Sequence, residues 1–207
     1  MTIPQFIHQL AAAFPPPNCA NPYEYERPFT AARRHNLQTY LELMVQQQPN
    51  LLLVAEAPGY RGCRLSGIPF VSPHMLTELG ARFERSTNPF QPVDEWPHIQ
   101  REASATIVWR TIGSWRPYPL LWNIFPFHPH QPGEPQSNRT PKVSEIAAGR
   151  PFLAHLLQIF PNVRLIAVGK KASLGLTRWE YDFTAVRHPA QGGAKQFQAA
   201  MQNLNEA

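Results

Sequence analysis

The stretch LLLVAEAPGYRGCRLSGIPF, residues 51–70, joins an apolar segment to a loop that is rich in glycine and proline. Every residue of 51–54 is apolar, which is the pattern of a strand that is covered on both faces, as parallel strands in α/β proteins are. In open α/β sheets, ligands bind in the crevice beyond the carboxyl ends of the strands. We therefore expect a binding site beside residues 56–60.

Three further apolar segments have the length of buried strands: residues 119–125 (PLLWNIF), 163–168 (VRLIAV) and 183–187 (FTAVR). Helical spacing and helix-start signals predict helices between and after them. The predicted helices cover residues 31–47, 73–80, 101–115, 141–149, about 152–160, 170–176 and a C-terminal segment with Phe197, Met201 and Leu204. For residues 101–115 a strand stays an alternative. This alternation predicts an α/β fold, a three-layer α/β/α sandwich with a central parallel sheet of about four strands.

The composition fits one folded domain over residues 1–207. Of the 207 residues 43% are hydrophobic and five are tryptophan, which argues against disorder although proline occurs 23 times. The proline-rich residues 1–30 cannot hold a long helix past Phe14, and we expect them to wrap the surface. The net charge of +5 suits an anionic partner.

Cysteine usage limits the chemistry that the chain can carry. The two cysteines, Cys19 and Cys63, are too few for a disulfide scaffold or for a tetrahedral cysteine metal site. The sequence contains neither a signal peptide nor a membrane-spanning apolar run. We therefore expect a cytoplasmic protein with no metal, no cofactor and no membrane association.

Polar residues follow three of the predicted strands. Glu56, Asn123 and His188 come at or just after the ends of strands, which in a parallel sheet meet at one edge. Each residue alone also fits an ordinary structural role, in a turn or an extended loop. Together they predict one candidate active site.

The loops that carry these residues resemble motifs of the uracil-DNA glycosylase superfamily. AEAPG at 55–59 is similar to the GEAPG form of the first motif, and SGIPF at 66–70 is similar to the TG-x-PF that follows it. Asn123 matches the asparagine at the end of the second strand. NRTPKVSE at 138–145 resembles a segment of the iron–sulfur branch, and RHPAQGG at 187–193 resembles the late HPS motif. Two cysteines cannot supply four cluster ligands, so a member without a cluster is expected.

The resemblance implies an enzyme that flips a base out of DNA and cleaves its bond to deoxyribose. Phe70 would stack on the base, and Asn123 would donate to O4 and accept from N3–H, a pattern that cytosine contradicts. His188 would donate a hydrogen bond to O2 as negative charge develops there. Further base-pocket residues are expected at Ala57, Tyr60 and His128.

Contacts to the DNA backbone are expected at two kinds of residue. Glycines allow close backbone approach to phosphates, and basic side chains pair with them. The expected contacts are Gly59, Arg187, Gly192, Gly193 and Lys195, with Lys170 and Lys171 as further phosphate partners.

The water-activating group does not follow from the motifs. In the branch whose first motif reads GQDPYH, the water-activating aspartate corresponds to Ala57 of this chain. The acidic residues that the iron–sulfur branch carries before the stacking phenylalanine have no counterpart in residues 60–65. Glu56 is the candidate to polarise the water or to stabilise the sugar cation, with backbone around Ala57 positioning the water. Alternatively, His188 and Asn123 do most of the work.

The sequence thus predicts a monofunctional DNA glycosylase that removes uracil or another deaminated base from DNA and acts as a monomer. Two alternatives stay open: a glycosylase for hypoxanthine or xanthine, and a catalytically weak module that binds uracil-containing DNA. An unrelated small-molecule α/β enzyme is disfavoured, because the chain has neither a G-x-G-x-x-G motif nor a Walker loop.

Overall fold

The structure, a computed structural model, describes residues 1–205. Its strands are β1 (Cys19–Ala20), β2 (Leu51–Ala55), β3 (Leu120–Asn123), β4 (His128–Pro129), β5 (Arg164–Val168) and β6 (Phe183–Val186). Its helices are α1 (Ile3–Ala12), α2 (Thr30–Gln47), α3 (Cys63–Ser66), α4 (Pro73–Arg82), α5 (Ala103–Ile112), α6 (Val143–Ala147), α7 (Arg150–Ile159), α8 (Lys170–Arg178) and α9 (Ala194–Asn205).

The central sheet has four parallel strands in the order β3-β2-β5-β6. Strands β2 and β3 are buried at every position, as their continuous apolar sequences require. Helices pack around the sheet and share one hydrophobic core with it. The predicted fold class is confirmed, and the four predicted strands lie within one or two residues of their expected bounds.

The direction of the chain reverses around β2. Strand β3, which follows β2 in the central sheet, pairs with one edge of β2. Strand β5, which comes next, pairs with the other edge of β2. Such a switch point opens a crevice beyond the carboxyl ends of the two diverging strands. The loops after β2 and β5 therefore flank a natural binding position.

Several local predictions were resolved or corrected by the structure. Residues 101–115, for which helix and strand were both open, contain the helix α5. Helix α6 ends at Ala147, close to the predicted stop at Gly149, and Gly149 is the N-cap of α7, where a side chain would clash with the Ile124 carbonyl. The β1–β4 pair was not predicted, because strands of two residues have no readable periodicity.

The expected surface wrap of residues 1–30 is wrong for its first part. Residues Ile3–Ala12 form the helix α1, which Thr2 and Gln5 close with a capping box. Its residue Phe6 is fully buried and packs on Trp122, with 5.4 Å between ring centroids. The helix ends before the proline run at 15–17, and its apolar face belongs to the core. No helix in residues 1–205 has the length and apolar character needed to cross a membrane.

The burial of α1 predicts a large loss of stability on Phe6→Ala. Truncation of a fully buried phenylalanine leaves a cavity and typically costs about 3 to 5 kcal/mol of unfolding free energy. Phe14 is the matched control, because it is 95% exposed just after the same helix. Denaturant unfolding should therefore show a change within about 0.5 kcal/mol for Phe14→Ala. Equal effects of the two changes would contradict the packing of α1.

Candidate active site

A cleft of about 640 Å³ lies at the carboxyl edge of the central sheet. The loops after β2, β3, β5 and β6 all contribute to its walls. The predicted residues that line it are Glu56, Ala57, Gly59, Phe70, Asn123, Arg187 and His188. Three distant segments of the chain thus meet in one place, as the positions at strand ends predict.

Backbone hydrogen bonds join the loop after β2 to the loop after β3. Ala55 pairs with Asn123 in the parallel ladder, and the ladder continues beyond both strands. The Ile124 N–H donates to the Ala55 carbonyl at 2.8 Å, and the Phe125 N–H donates to the Glu56 carbonyl at 3.2 Å. The first motif and the asparagine are therefore held side by side by main-chain contacts.

Phe70 adopts a backbone conformation that a side chain disfavours. Its φ is 55°, in the left-handed region, so surrounding contacts must maintain it. The Ser66 hydroxyl donates to the Val71 carbonyl at 2.6 Å, and the Trp109 indole N–H donates to the Phe70 carbonyl at 3.0 Å. The ring is only 6% exposed and lies 6.5 Å from the His188 ring, centroid to centroid. Phe70 thus forms a rigid aromatic wall of the cleft.

The side-chain amide of Asn123 is oriented by a short chain of hydrogen bonds. One amide N–H donates to Cys63 Sγ at 3.5 Å, and Cys63 contacts the Tyr23 hydroxyl at 3.8 Å. Because the Tyr23 hydroxyl donates to the Gly67 carbonyl at 3.0 Å, the thiol hydrogen is directed to Tyr23 and the sulfur accepts from Asn123. Burial raises the pKa of Cys63 to about 12, so the thiol is neutral. Asn123 keeps one N–H and its carbonyl oxygen for another partner.

His188 has a defined tautomer. The backbone N–H of Ala190 donates to His188 Nδ1 at 3.1 Å, so Nδ1 accepts and the neutral ring carries its hydrogen on Nε2. Burial, and secondly the charge of Arg187, lower the pKa of His188 below its ordinary value. At neutral pH the ring is an uncharged donor in the wall of the cleft.

Glu56 lies in the cleft close to a cation. Burial raises the pKa of its carboxyl, whereas the ammonium of Lys171 on α8 acts in the opposite direction. Lys170 and Lys171 both line the cleft at the start of that helix. The basic side chains and the carboxyl therefore share one wall.

Two residues expected in the base pocket lie elsewhere. His128 is fully buried behind the first loop, with its ring nitrogens 2.8 and 3.3 Å from the Pro58 and Pro135 carbonyl oxygens. The ring of Tyr60 packs on Trp96 instead, with 5.8 Å between centroids. Neither residue lines the cleft, so the prediction that they contact a base is not supported by their positions. Both stabilise the loop that follows β2.

Three of the expected DNA-backbone residues also lie outside the cleft lining. Gly192 has a φ of 77° and open space around it, and Lys195 is exposed in the first turn of α9. Gly193 is buried, and a side chain there would clash with the His188 carbonyl. Gly193 therefore closes the turn that presents His188.

The prominent cleft residue that the motifs did not identify is Glu102. It immediately precedes α5, in a part of the chain without a motif, and its carboxyl reaches the cleft. The motifs also assign no role to Cys63, which contacts Asn123. No periodicity or motif marks either residue, because both act through contacts with distant segments. Within residues 1–205, no group of three or more histidine, cysteine or acidic side chains is placed to hold a metal ion.

Comparison with known proteins agrees with this geometry. No curated protein matches the chain. Among solved structures, the crystal structure of wild-type Pedobacter heparinus SMUG2 matches it with a TM-score of 0.64 and 16% sequence identity, over 100% of both chains. At this identity the match shows a shared fold. A family model described as the Uracil DNA glycosylase superfamily matches residues 44–207, and the chain therefore belongs to that superfamily.

Proposed function

We propose that this chain is a monofunctional DNA glycosylase that hydrolyses the bond between deoxyribose and uracil, or a related deaminated base, in DNA. One observation carries the proposal: Phe70, Asn123 and His188, from three separate segments, line a single cleft. Membership of the superfamily supports DNA glycosylase activity in general, and the chemistry of the side chains in the cleft supports uracil or a related deaminated base as the substrate.

The base is recognised through its Watson–Crick edge. Cys63 occupies one N–H of Asn123, so the remaining N–H and the carbonyl oxygen form a donor–acceptor pair. Uracil offers O4 as acceptor and N3–H as donor to this pair, whereas cytosine offers the opposite pattern. Stacking on Phe70 adds affinity without distinguishing the two bases.

The leaving base is stabilised by a neutral donor. Cleavage passes through an oxocarbenium-like sugar and places negative charge on the base, largely on its carbonyl oxygens. The Nε2–H of His188 can donate to O2 as this charge grows. A neutral imidazole keeps its proton, so it stabilises an anionic base rather than protonating it first.

The DNA backbone is held by the basic rim of the cleft. Lys170, Lys171 and Arg187 line it next to the switch point of the sheet. Lysine and arginine contacts to phosphates provide affinity without sequence preference and make binding dependent on salt. All three were expected as phosphate partners from the sequence, whereas Gly192, Gly193 and Lys195 lie outside the cleft lining.

A second candidate substrate is a deaminated purine, hypoxanthine or xanthine. A cleft of about 640 Å³ is larger than one pyrimidine ring requires, so space alone does not exclude a purine. A module that binds uracil-containing DNA without cleaving it is the third possibility, motivated by Ala57 at the position of the missing aspartate.

The proposal predicts base release from oligonucleotides that carry uracil. Purified protein is incubated with single- and double-stranded substrates containing uracil, hypoxanthine or xanthine, and abasic sites are revealed by alkali. Strand cleavage before alkali, or trapping of a covalent adduct with borohydride, would contradict the monofunctional assignment. Binding of uracil-containing DNA without base release from any substrate would instead favour the binding module.

Removal of the two recognition side chains should depress this activity. Loss of one preorganised donor at a developing oxyanion costs roughly a hundredfold to a thousandfold in rate, so His188→Ala should fall in that range. Asn123→Ala should fall similarly on uracil, because it loses both base contacts. His98→Ala and Asn162→Ala are matched controls, since both side chains lie outside the cleft. Wild-type rates for both cleft variants would refute the proposed site.

The orientation of Asn123 predicts an effect at Cys63. In Cys63→Ala the amide loses its acceptor and rotates more freely, which should lower the single-turnover rate on uracil by roughly threefold to tenfold, the equivalent of one hydrogen bond. Cys63→Ser should restore most of the rate, because a hydroxyl can accept from Asn123 and donate to Tyr23. Equal rates for the alanine and serine variants would contradict this function of the thiol.

A further inference from the structure

We propose that Glu102 is the catalytic residue that activates the attacking water, a role that the loop after β2 leaves unfilled at Ala57. This inference rests on the proposed function and assigns one step of it. It places the water-activating carboxylate on the segment before α5, outside all the recognised motifs.

The first support is position. Glu102 precedes α5 as its N-cap residue, but its side chain makes no capping hydrogen bond to that helix. The side chain instead reaches into the cleft that also contains Asn123 and His188. A carboxyl at this position faces the space that a bound nucleotide would occupy.

The second support is the space made for the carboxyl group. Side chains at Gly59 and Gly62 would collide with the carboxyl oxygens of Glu102, so two glycines of the first loop make its position possible. The loop sequence APGYRG thus lacks a carboxylate of its own but accommodates one from elsewhere. The lack of a side chain at these two positions therefore leaves space for the Glu102 carboxyl, in addition to allowing backbone flexibility.

The third support is the absence of a counter-charge. Two other glutamates in sheltered positions are neutralised: Glu145 forms paired contacts of 2.7 Å with Arg139, and Glu95 pairs with Arg33 and Arg64. In contrast, the structure of residues 1–205 contains no ion pair or side-chain hydrogen bond to the Glu102 carboxyl. Glu102 is half-buried, and a sheltered carboxyl without a cation beside it disfavours its charged form. Groups perturbed in this way are concentrated at functional sites.

The electrostatics distinguish Glu102 from Glu56. Burial raises the pKa of Glu102 to about 7, close to the value that suits a general base at neutral pH. Burial also raises the pKa of Glu56, but the ammonium of Lys171 opposes this shift and favours the ionised form, whereas no cation opposes it at Glu102. We assign Glu56 to the stabilisation of the positive sugar and Glu102 to the water.

The step balances as a hydrolysis. The water oxygen forms a bond to C1′ of deoxyribose while the bond from C1′ to the base nitrogen breaks and its electron pair leaves with the base. Ionised Glu102 accepts one proton from the water, and the second hydrogen remains on the new hydroxyl of the abasic sugar. His188 stabilises the departing anion, which then takes a proton from solvent. No oxidant or cofactor is required.

The test compares Glu102→Gln and Glu102→Asp with the wild type on uracil-containing DNA over a range of pH. The wild-type single-turnover rate should rise with pH through about 7 and then level off, because the ionised carboxylate is the active form. Glu102→Gln should lose at least roughly a hundredfold and should lose this rise. Glu102→Asp should keep the rise at a reduced rate. Glu78→Gln, on the exposed face of α4, is the matched control and should behave as wild type.

Binding separates catalysis from structure. Affinity for an oligonucleotide with an uncleavable 2′-fluorinated deoxyuridine should stay within about twofold in Glu102→Gln, since the water-activating group acts on the chemical step. A rate within threefold of wild type, retention of the pH rise in Glu102→Gln, or loss of binding together with rate would overturn the assignment to Glu102. Loss of the rise in Glu56→Gln instead would transfer the role to Glu56. A wild-type chain that releases no base would overturn both this assignment and the proposed function.

The same carboxyl predicts a pH effect on stability that needs no substrate. With a folded-state pKa near 7 and an ordinary unfolded-state value near 4.3, the charged form is disfavoured in the folded protein. Relative to Glu102→Gln, the wild type should therefore have its full stability below about pH 4. It should lose stability progressively as the pH rises to about 7. The melting temperature of Glu102→Gln should exceed that of wild type by a few degrees at pH 8, and this excess should be much smaller at pH 5. A constant difference across this range would show that the pKa of this carboxyl is not raised in the folded protein.

Discussion

The parallel register of β2 against β3 is the constraint on which the rest of the site depends. Because Ala55 pairs with Asn123, both strands end at the same level, and main-chain hydrogen bonds continue from Ile124 and Phe125 into the first loop. A shift of one residue would turn every side chain of a strand to the other face of the sheet. The continuous apolar sequences of the two strands secure the burial of the pair, and the ladder sets the position of Asn123 beside the loop that carries Glu56.

Desolvation gives the cleft its chemical character. Burial favours the neutral forms of Glu56, Glu102 and His188. It raises the pKa of the two carboxyls and lowers the pKa of the imidazole for the same reason. A sheltered, poorly hydrated site strengthens each remaining electrostatic interaction. The neutral donor at His188 and the basic carboxyl at Glu102 are both consequences of that environment. The chemistry proposed here therefore depends on the walls of the cleft as much as on the reacting groups.

The sequence was sufficient to predict the fold class and the residues that follow strands, but not the residues that support them. Phe70, Asn123 and His188 were identified because motifs and strand ends mark them, and the structure brings all three into one cleft. Cys63 contacts Asn123 across 60 residues of sequence, and such a contact leaves no local pattern. Helix α1 was missed because the prolines that follow it dominated the interpretation of residues 1–30. His128 was expected in the pocket, whereas its burial behind Pro58 could be seen only in three dimensions.

The segment between α4 and α5 shows how a loop can hold a reacting group in place. Phe83, Phe90 and Val93 anchor its first half in the core, and polar contacts hold the part that leads to α5. Glu95 ties it to Arg33 on α2 and to Arg64 on α3, and the Gln100 carbonyl accepts the His74 N–H of α4 at 3.2 Å. Glu102 follows two residues after this last contact. Buried ion pairs contribute little net stability, but removal of one partner is strongly destabilising, so they define one arrangement of the loop. The segment that carries the proposed water-activating carboxylate is thus held by ion pairs to two helices and by a backbone hydrogen bond to a third, while the glycines of the motif loop leave room for the carboxyl.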